Sequence, residues 1–155
     1  MAYRVFSGVF FAACILAGAA NAAEVKHSVE VEGEPAAVWS KIGGWCGIAD
    51  WHPAIAKCEE SEKGGTMRRT LTTKDGAAIE ETMLEKGDAS YSYRIDESPL
   101  PVSNYTAKFA VQQAGGKTSV VWTARFDPKG KEDEAKAVID GIFKAGLDGI
   151  ASRNK

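Results

Sequence analysis

The sequence predicts a single α+β domain in which one strand and two short helices lead into a six-stranded antiparallel meander that closes on a long helix. Three observations predict it: apolar residues alternate with period two in six segments, an apolar stripe of helical spacing lies near the C-terminus, and a short apolar leader ends near residue 22.

The leader opens with Met1-Ala2-Tyr3-Arg4, runs apolar from Val5 to Ala20 and ends in Ala20-Asn21-Ala22 ahead of Ala23. One early positive charge, a short apolar core and an A-x-A site are what a secretory signal peptide needs, with cleavage after Ala22. The alternatives are a buried or membrane-spanning helix and a lipid anchor on Cys14. The apolar stretch of 16 residues is short for a bilayer span and no cationic stop follows it. Phe11 is a poor residue three before a lipidated cysteine, and Ile15, Leu16 and Ala17 keep the chain apolar beyond it. The expectation is a signal peptide over 1–22 and a periplasmic or secreted domain over 23–155, with no stable membrane anchor after cleavage.

Removing residues 1–22 takes away Arg4 and no acid, leaving 18 basic against 21 acidic residues and a net charge of −3. Nothing here builds a basic face for nucleic acid. The remaining 133 residues suffice for one core but not two, and they contain no internal repeat. Two cysteines survive, Cys46 and Cys58. In an oxidising compartment they read as a disulfide closing a short loop; the alternative is two buried thiols, since spacing alone does not set the geometry.

The first strand places Val25, His27, Val29 and Val31 on one face, with Lys26, Ser28, Glu30 and Glu32 on the other. Pro35 then opens a helix with apolar positions Val38, Trp39 and Ile42, which Gly43-Gly44 stops. Trp45 to Pro53 reads as a second short helix or a structured loop. Six strands follow: Ala56–Lys63, Thr66–Thr73, Ala77–Lys86, Ser90–Glu97, Val102–Gln113 and Thr118–Asp127.

Parity constrains one hairpin. Keeping Met67 and Leu71 on the same face as Ile79 and Met83 demands an odd-length connection, so Lys74-Asp75-Gly76 is expected as a three-residue turn with Gly76 in the left-handed region. Leu71 then faces Ile79, Met67 faces Met83 and Arg69 faces Glu81. The later strands keep the pattern with Tyr91, Tyr93 and Ile95, then Tyr105, Ala107, Phe109 and Val111, then Val120, Trp122, Ala124 and Phe126. A meander of this length predicts a strongly curved sheet.

The closing helix, Glu132 to Ser152, starts with acids that suit a helix N-terminus, and Ala135, Val138, Ile139, Ile142, Phe143, Gly146, Leu147 and Ile150 form its apolar stripe. Gly141, Gly146 and Gly149 each weaken a helix by about 1 kcal/mol relative to alanine. Either they leave space between helix and sheet, or they permit close packing.

This element order is that of the helix-grip fold, a curved seven-stranded antiparallel sheet wrapped around a long C-terminal helix with two short helices after strand 1. The chain resembles the START-like, or SRPBCC, superfamily and within it the polyketide cyclase/dehydrase-like branch. The resemblance rests on Pro35-Ala36-Ala37-Val38-Trp39, Trp51-His52-Pro53, Tyr93-Arg94-Ile95, the run from Glu97 through Ser98-Pro99-Leu100-Pro101-Val102-Ser103-Asn104-Tyr105, and Gly146-Leu147. The chain is also similar to an exported member of that branch encoded in bacterial methanol-oxidation gene clusters. The resemblance implies an apolar ligand gripped between sheet and last helix. It carries no catalytic signature, and only some members are enzymes.

Parity places His27, Arg69, Glu81 and Tyr93 on inward faces as candidate catalytic groups. Arg69 and Glu81 read either as a structural ion pair or as a pair that orients a ligand. His27 is a general base or a satisfied core residue. His52 shapes a loop or, with Trp45 and Trp51, lines a cavity mouth. The candidate ligand-binding set is Trp51, His52, Arg69, Glu81, Tyr93, Tyr105, Phe109, Trp122 and Phe143, polar tips on apolar bodies suiting pocket walls as well as core. Two histidines in unrelated segments do not make a zinc site, no glycine-rich phosphate loop is present, and no cofactor is expected. Three functions remain in view: an exported binding protein for a small hydrophobic or aromatic ligand, a cyclase- or dehydratase-type enzyme, and a periplasmic accessory protein that contacts a redox enzyme through a patch at Pro99, Leu100 and Pro101.

Overall fold

The computed structural model describes residues 22–153, so the segment expected from sequence to be a signal peptide lies outside the described residues except for Ala22. The elements are β1 (Ala23–Val31), α1 (Pro35–Ile42), α2 (Ile48–Trp51), β2 (Ile55–Lys63), β3 (Thr66–Thr73), β4 (Ala78–Lys86), β5 (Ser90–Glu97), β6 (Val102–Ala114), β7 (Lys117–Pro128) and α3 (Glu132–Arg153). Pairing is antiparallel throughout, in the order β1-β7-β6-β5-β4-β3-β2. This is the helix-grip fold expected from the alternation pattern. Of the segment Trp45 to Pro53, only Ile48–Trp51 is helical. Among the described residues no helix is long and apolar enough to cross a membrane.

The hairpin argued from parity forms as expected. Leu71 pairs with Ile79 and Arg69 with Glu81, the Thr73 amide donates to the Ala77 carbonyl, and Gly76 has φ 90°. The expected facing of Met67 and Met83 is absent from the ladder, which runs only as far as Arg68 opposite Thr82; Met67 pairs with Glu62 and Met83 with Tyr93. A bulge between Met83 and Glu85 shifts β4 against β5, and Leu84, the residue left unpaired there, is 48% exposed. The β6–β7 hairpin turns on Gly115-Gly116, both at positive φ, as a two-residue connection requires.

The core lies between the concave face of the sheet and α3. Tyr91, Tyr93, Tyr105, Phe109, Val120, Trp122 and Phe126 are buried from the sheet side, and Ala135, Ile139, Phe143, Leu147 and Ile150 from the helix side. Two of the three helix glycines owe their presence to close packing. A Cβ on Gly149 would sit 2.1 Å from the Trp51 carbonyl oxygen, and one on Gly146 would meet the rings of His52, Trp122 and Trp51 at 2.7–3.0 Å. The 51–53 segment therefore lies directly on the helix. Nothing approaches Gly141.

A Cys46–Cys58 disulfide, with Cα atoms 5.5 Å apart, ties the α1–α2 connection to β2. The chain-entropy estimate for so short a loop is about 3 kcal/mol of stabilisation.

Candidate functional site

Two aromatic stacks fill much of the interior. Trp51 lies parallel to Phe109 at 5.2 Å, and Trp122 lies parallel to Phe143 at 4.2 Å, with Trp51 and Trp122 edge to face. Between β3, β4, β5 and the first half of α3 the filling is incomplete. A cavity of about 110 Å³ remains there, walled by Leu71, Ile79 and Ile95 from the sheet, Ile139, Ile142 and Phe143 from α3, Ile48 and Ile55 from the α2 region, and Leu100 from the β5–β6 loop. Its polar lining is His52, Thr73, Glu81, Tyr93 and Tyr105, and the indole of Trp122 completes it.

Each polar group on this wall has a structural partner. The Trp122 Nε1–H donates to the Tyr93 hydroxyl at 3.0 Å. His52 Nε2 lies 3.0 Å from the Ile142 carbonyl, and the Ala54 amide donates to Nδ1 at 3.1 Å, so the ring is the neutral tautomer with its proton on Nε2. Burial lowers the His52 pKa, the Ile142 hydrogen bond offsetting only part of the effect. Thr73 spends its hydroxyl at the hairpin turn, on Asp75 and the Ala77 carbonyl.

Glu81 is the one carboxyl on the wall. Its Oε2 receives Arg69 Nε at 2.5 Å, and Arg69 Nη1 donates to the Trp45 carbonyl. The guanidinium carbon lies over the Trp45 ring, 3.8 Å from its centroid, with the Tyr93 and Tyr91 rings at 5.3 and 5.7 Å. Burial works against the Arg69 charge, but the Glu81 carboxylate and the two phenols outweigh it and hold the guanidinium above its ordinary value. Burial raises the Glu81 carboxyl above the ordinary carboxylate range, and Arg69 pulls it part of the way back. The pair is ionised at neutral pH, because protonating Glu81 would leave an uncompensated guanidinium in the interior. Burial also pushes the phenols of Tyr91, Tyr93 and Tyr105 up, so all three stay neutral.

Of the residues singled out from sequence, the fold gathers His52, Glu81, Tyr93, Tyr105, Trp122 and Phe143 around one cavity. Trp51 and Phe109 do not reach it; they stack on each other, and the Trp51 Nε1–H donates to the Ile42 carbonyl. Arg69 stands behind Glu81 beneath the disulfide-tethered segment. His27 stands away from the cavity, with Nε2 2.6 Å from Asp140 Oδ1 on α3, where it fastens the helix to the edge strand β1. Parity gave its face correctly, but β1 lies at the far edge of the sheet from β3 and β4. Leu100, expected in an exposed patch, packs against the core and lines the cavity. The aliphatic walls were missed, although parity already pointed Leu71, Ile79 and Ile95 inward; weighting aromatics over aliphatics hid them. Among the described residues no cluster of His, Cys, Asp and Glu gathers as a metal ion would need.

The model of a family described as "Polyketide cyclase / dehydrase and lipid transport" matches residues 22–154. The chain belongs to this family. Among solved structures, the protein XoxI of Bacillus cereus superposes with a TM-score of 0.79 at 32% identity, covering 85% of this chain and 95% of that one. A Bacillus thuringiensis protein gives 0.78 at 30% identity, over 84% and 98% of the two chains. The Zhui aromatase/cyclase of Streptomyces sp. R1128, at 20% identity and a TM-score of 0.68 over 86% and 93%, shares the fold. A comparison with curated proteins finds no match.

Proposed function

We propose that this family member is an exported, periplasmic binding protein that holds one small apolar or single-ring molecule between the sheet and α3. The cavity carries this reading: a hollow with apolar walls, bordered by a few fixed polar tips, in an otherwise filled interior. Its volume sets the scale of the guest. Sites for drug-sized ligands run to ~300–1,000 Å³, whereas an apolar cavity of ~150 Å³ takes benzene. At about 110 Å³ the hollow suits a single ring or a short chain and is too small for a whole lipid, although the family description includes lipid transport. The leader pattern of residues 1–22 and the disulfide support export.

Mass spectrometry of whatever natively purified protein releases on denaturation is the test. A compound of single-ring size is expected, and Ile139→Trp, which fills the hollow, should abolish it in a protein that still folds. A wild type that releases nothing and binds no small ring compound overturns the reading.

A second reading, a cyclase- or dehydratase-type enzyme, draws support from Glu81, a carboxyl with a raised pKa beside the phenols of Tyr93 and Tyr105 on one wall. Under it Glu81→Gln abolishes turnover of a small carbonyl substrate while the fold persists; unchanged turnover removes that role.

A further inference from the structure

The cavity wall holds one charged hydrogen-bond acceptor with capacity to spare. Trp122 spends its N–H on Tyr93, His52 spends Nε2–H on the Ile142 carbonyl, and Thr73 spends its hydroxyl at the β3–β4 turn. The Tyr93 hydroxyl, which accepts from Trp122, is also hydrogen-bonded to Tyr105. Against these, Glu81 brings two carboxylate oxygens, of which Arg69 engages Oε2. An ionised carboxylate accepts only, with room for about four hydrogen bonds. The Glu81 carboxylate is therefore the one charged acceptor on the wall, and Arg69 does not exhaust its capacity.

We infer that the guest is a small neutral molecule carrying one O–H or N–H group, a phenol- or azole-like ring or a short alcohol, received by the Glu81 carboxylate. Neutrality follows from Arg69 and Glu81 cancelling each other inside the protein: a charged guest would stand as a third, unpaired charge in the interior. Arg69 is a positioning residue here. It touches no guest, and it keeps Glu81 ionised and aimed through the Nε–Oε2 contact and its seat on Trp45. This inference rests on the cavity reading above.

Phenol and toluene test it, because they have nearly the same shape and differ in the donor. Water holds phenol more strongly than toluene, so a purely apolar hollow prefers toluene. Calorimetric titration of the full mature protein should show phenol binding about tenfold more tightly than toluene, the scale of a hydrogen bond to a charged acceptor. Glu81→Gln should remove that preference, so that phenol no longer binds more tightly than toluene. If Glu81→Gln does not fold, Glu81→Asp, which keeps a charge opposite Arg69 but withdraws it by one methylene, should reduce the preference. The wild-type contrast needs no variant. Toluene binding as tightly as phenol overturns the donor requirement and leaves the cavity reading standing, whereas failure of both probes to bind overturns the cavity reading together with this inference.

Discussion

Beneath α1 and α2 the concave face of the sheet is packed by rings, and beneath the first half of α3 it is packed by aliphatic chains around a buried ion pair. The same strands supply both regions. Where Trp39, Trp45, Trp51, Tyr91 and Phe109 meet, tilted, edge-on and stacked rings cover one another, and Phe109 is fully buried. Where Leu71, Ile79 and Ile95 face Ile139 and Ile142, the chains stop short of each other and the hollow remains. The difference teaches that rings packed only on rings make the solid part of this core, while the guest space opens where aliphatic chains share the wall with Tyr93, Tyr105, Trp122 and Phe143, beside the pair that holds Glu81 in place.

The largest effect expected is on the join between the two regions. Arg69 links the Trp45 side to the cavity side, so Arg69→Leu leaves the Glu81 carboxyl and the Trp45 carbonyl without their partner. Removing one member of a buried pair costs about 3–5 kcal/mol, and urea denaturation should show a loss of that order or no folded protein; a loss below about 1 kcal/mol would show the two regions to be independent. Next in size, Cys46→Ser with Cys58→Ser frees the connection that carries Trp45 and should lower stability by about 3 kcal/mol in the same assay.

Gly149 and Gly141 sharpen the comparison from the helix side. Gly149→Ala drives a methyl into the Trp51 carbonyl and should cost on the order of 1–3 kcal/mol. Gly141→Ala meets nothing and should stabilise by up to about 1 kcal/mol, so the two melting temperatures should move in opposite directions. The smallest effect is the pH dependence from His52, which sits at the seam of the two regions. Its folded pKa lies below the ordinary 6.5, so the unfolded chain binds the proton more readily. The stability His52 contributes is complete above pH 6.5 and is lost as pH falls through the lowered value. His52→Gln should flatten that part of the profile in denaturation midpoints between about pH 7 and about pH 5.

How much was legible before the fold was known differs between these regions. Period-two alternation reports which face a side chain takes, and that was enough for the hairpin from Thr66 to Lys86, for the pairing of Arg69 with Glu81 and for the inward rows of β5 to β7. It does not report position along the sheet. His27 and Glu81 share a face yet stand on strands near opposite edges, so only Glu81 reaches the cavity. Nor does alternation report where a ladder ends: the β3–β4 pairing stops at Arg68 opposite Thr82, one pair short of Met67 and Met83.

By itself, then, the order of apolar and polar residues determined the element sequence, the inward and outward faces and the charge pair, because each depends on local periodicity and on neighbours across one turn. Only the tertiary structure decided that Trp51 and Phe109 are filling, that the half-buried Leu100 forms part of the wall, that Gly146 and Gly149 make room for the 51–53 segment, and that the hollow is about 110 Å³. The physical reason is that a void is a property of how several elements approach one another: its size is the small volume left over when the helix settles on the sheet, and no single segment encodes it.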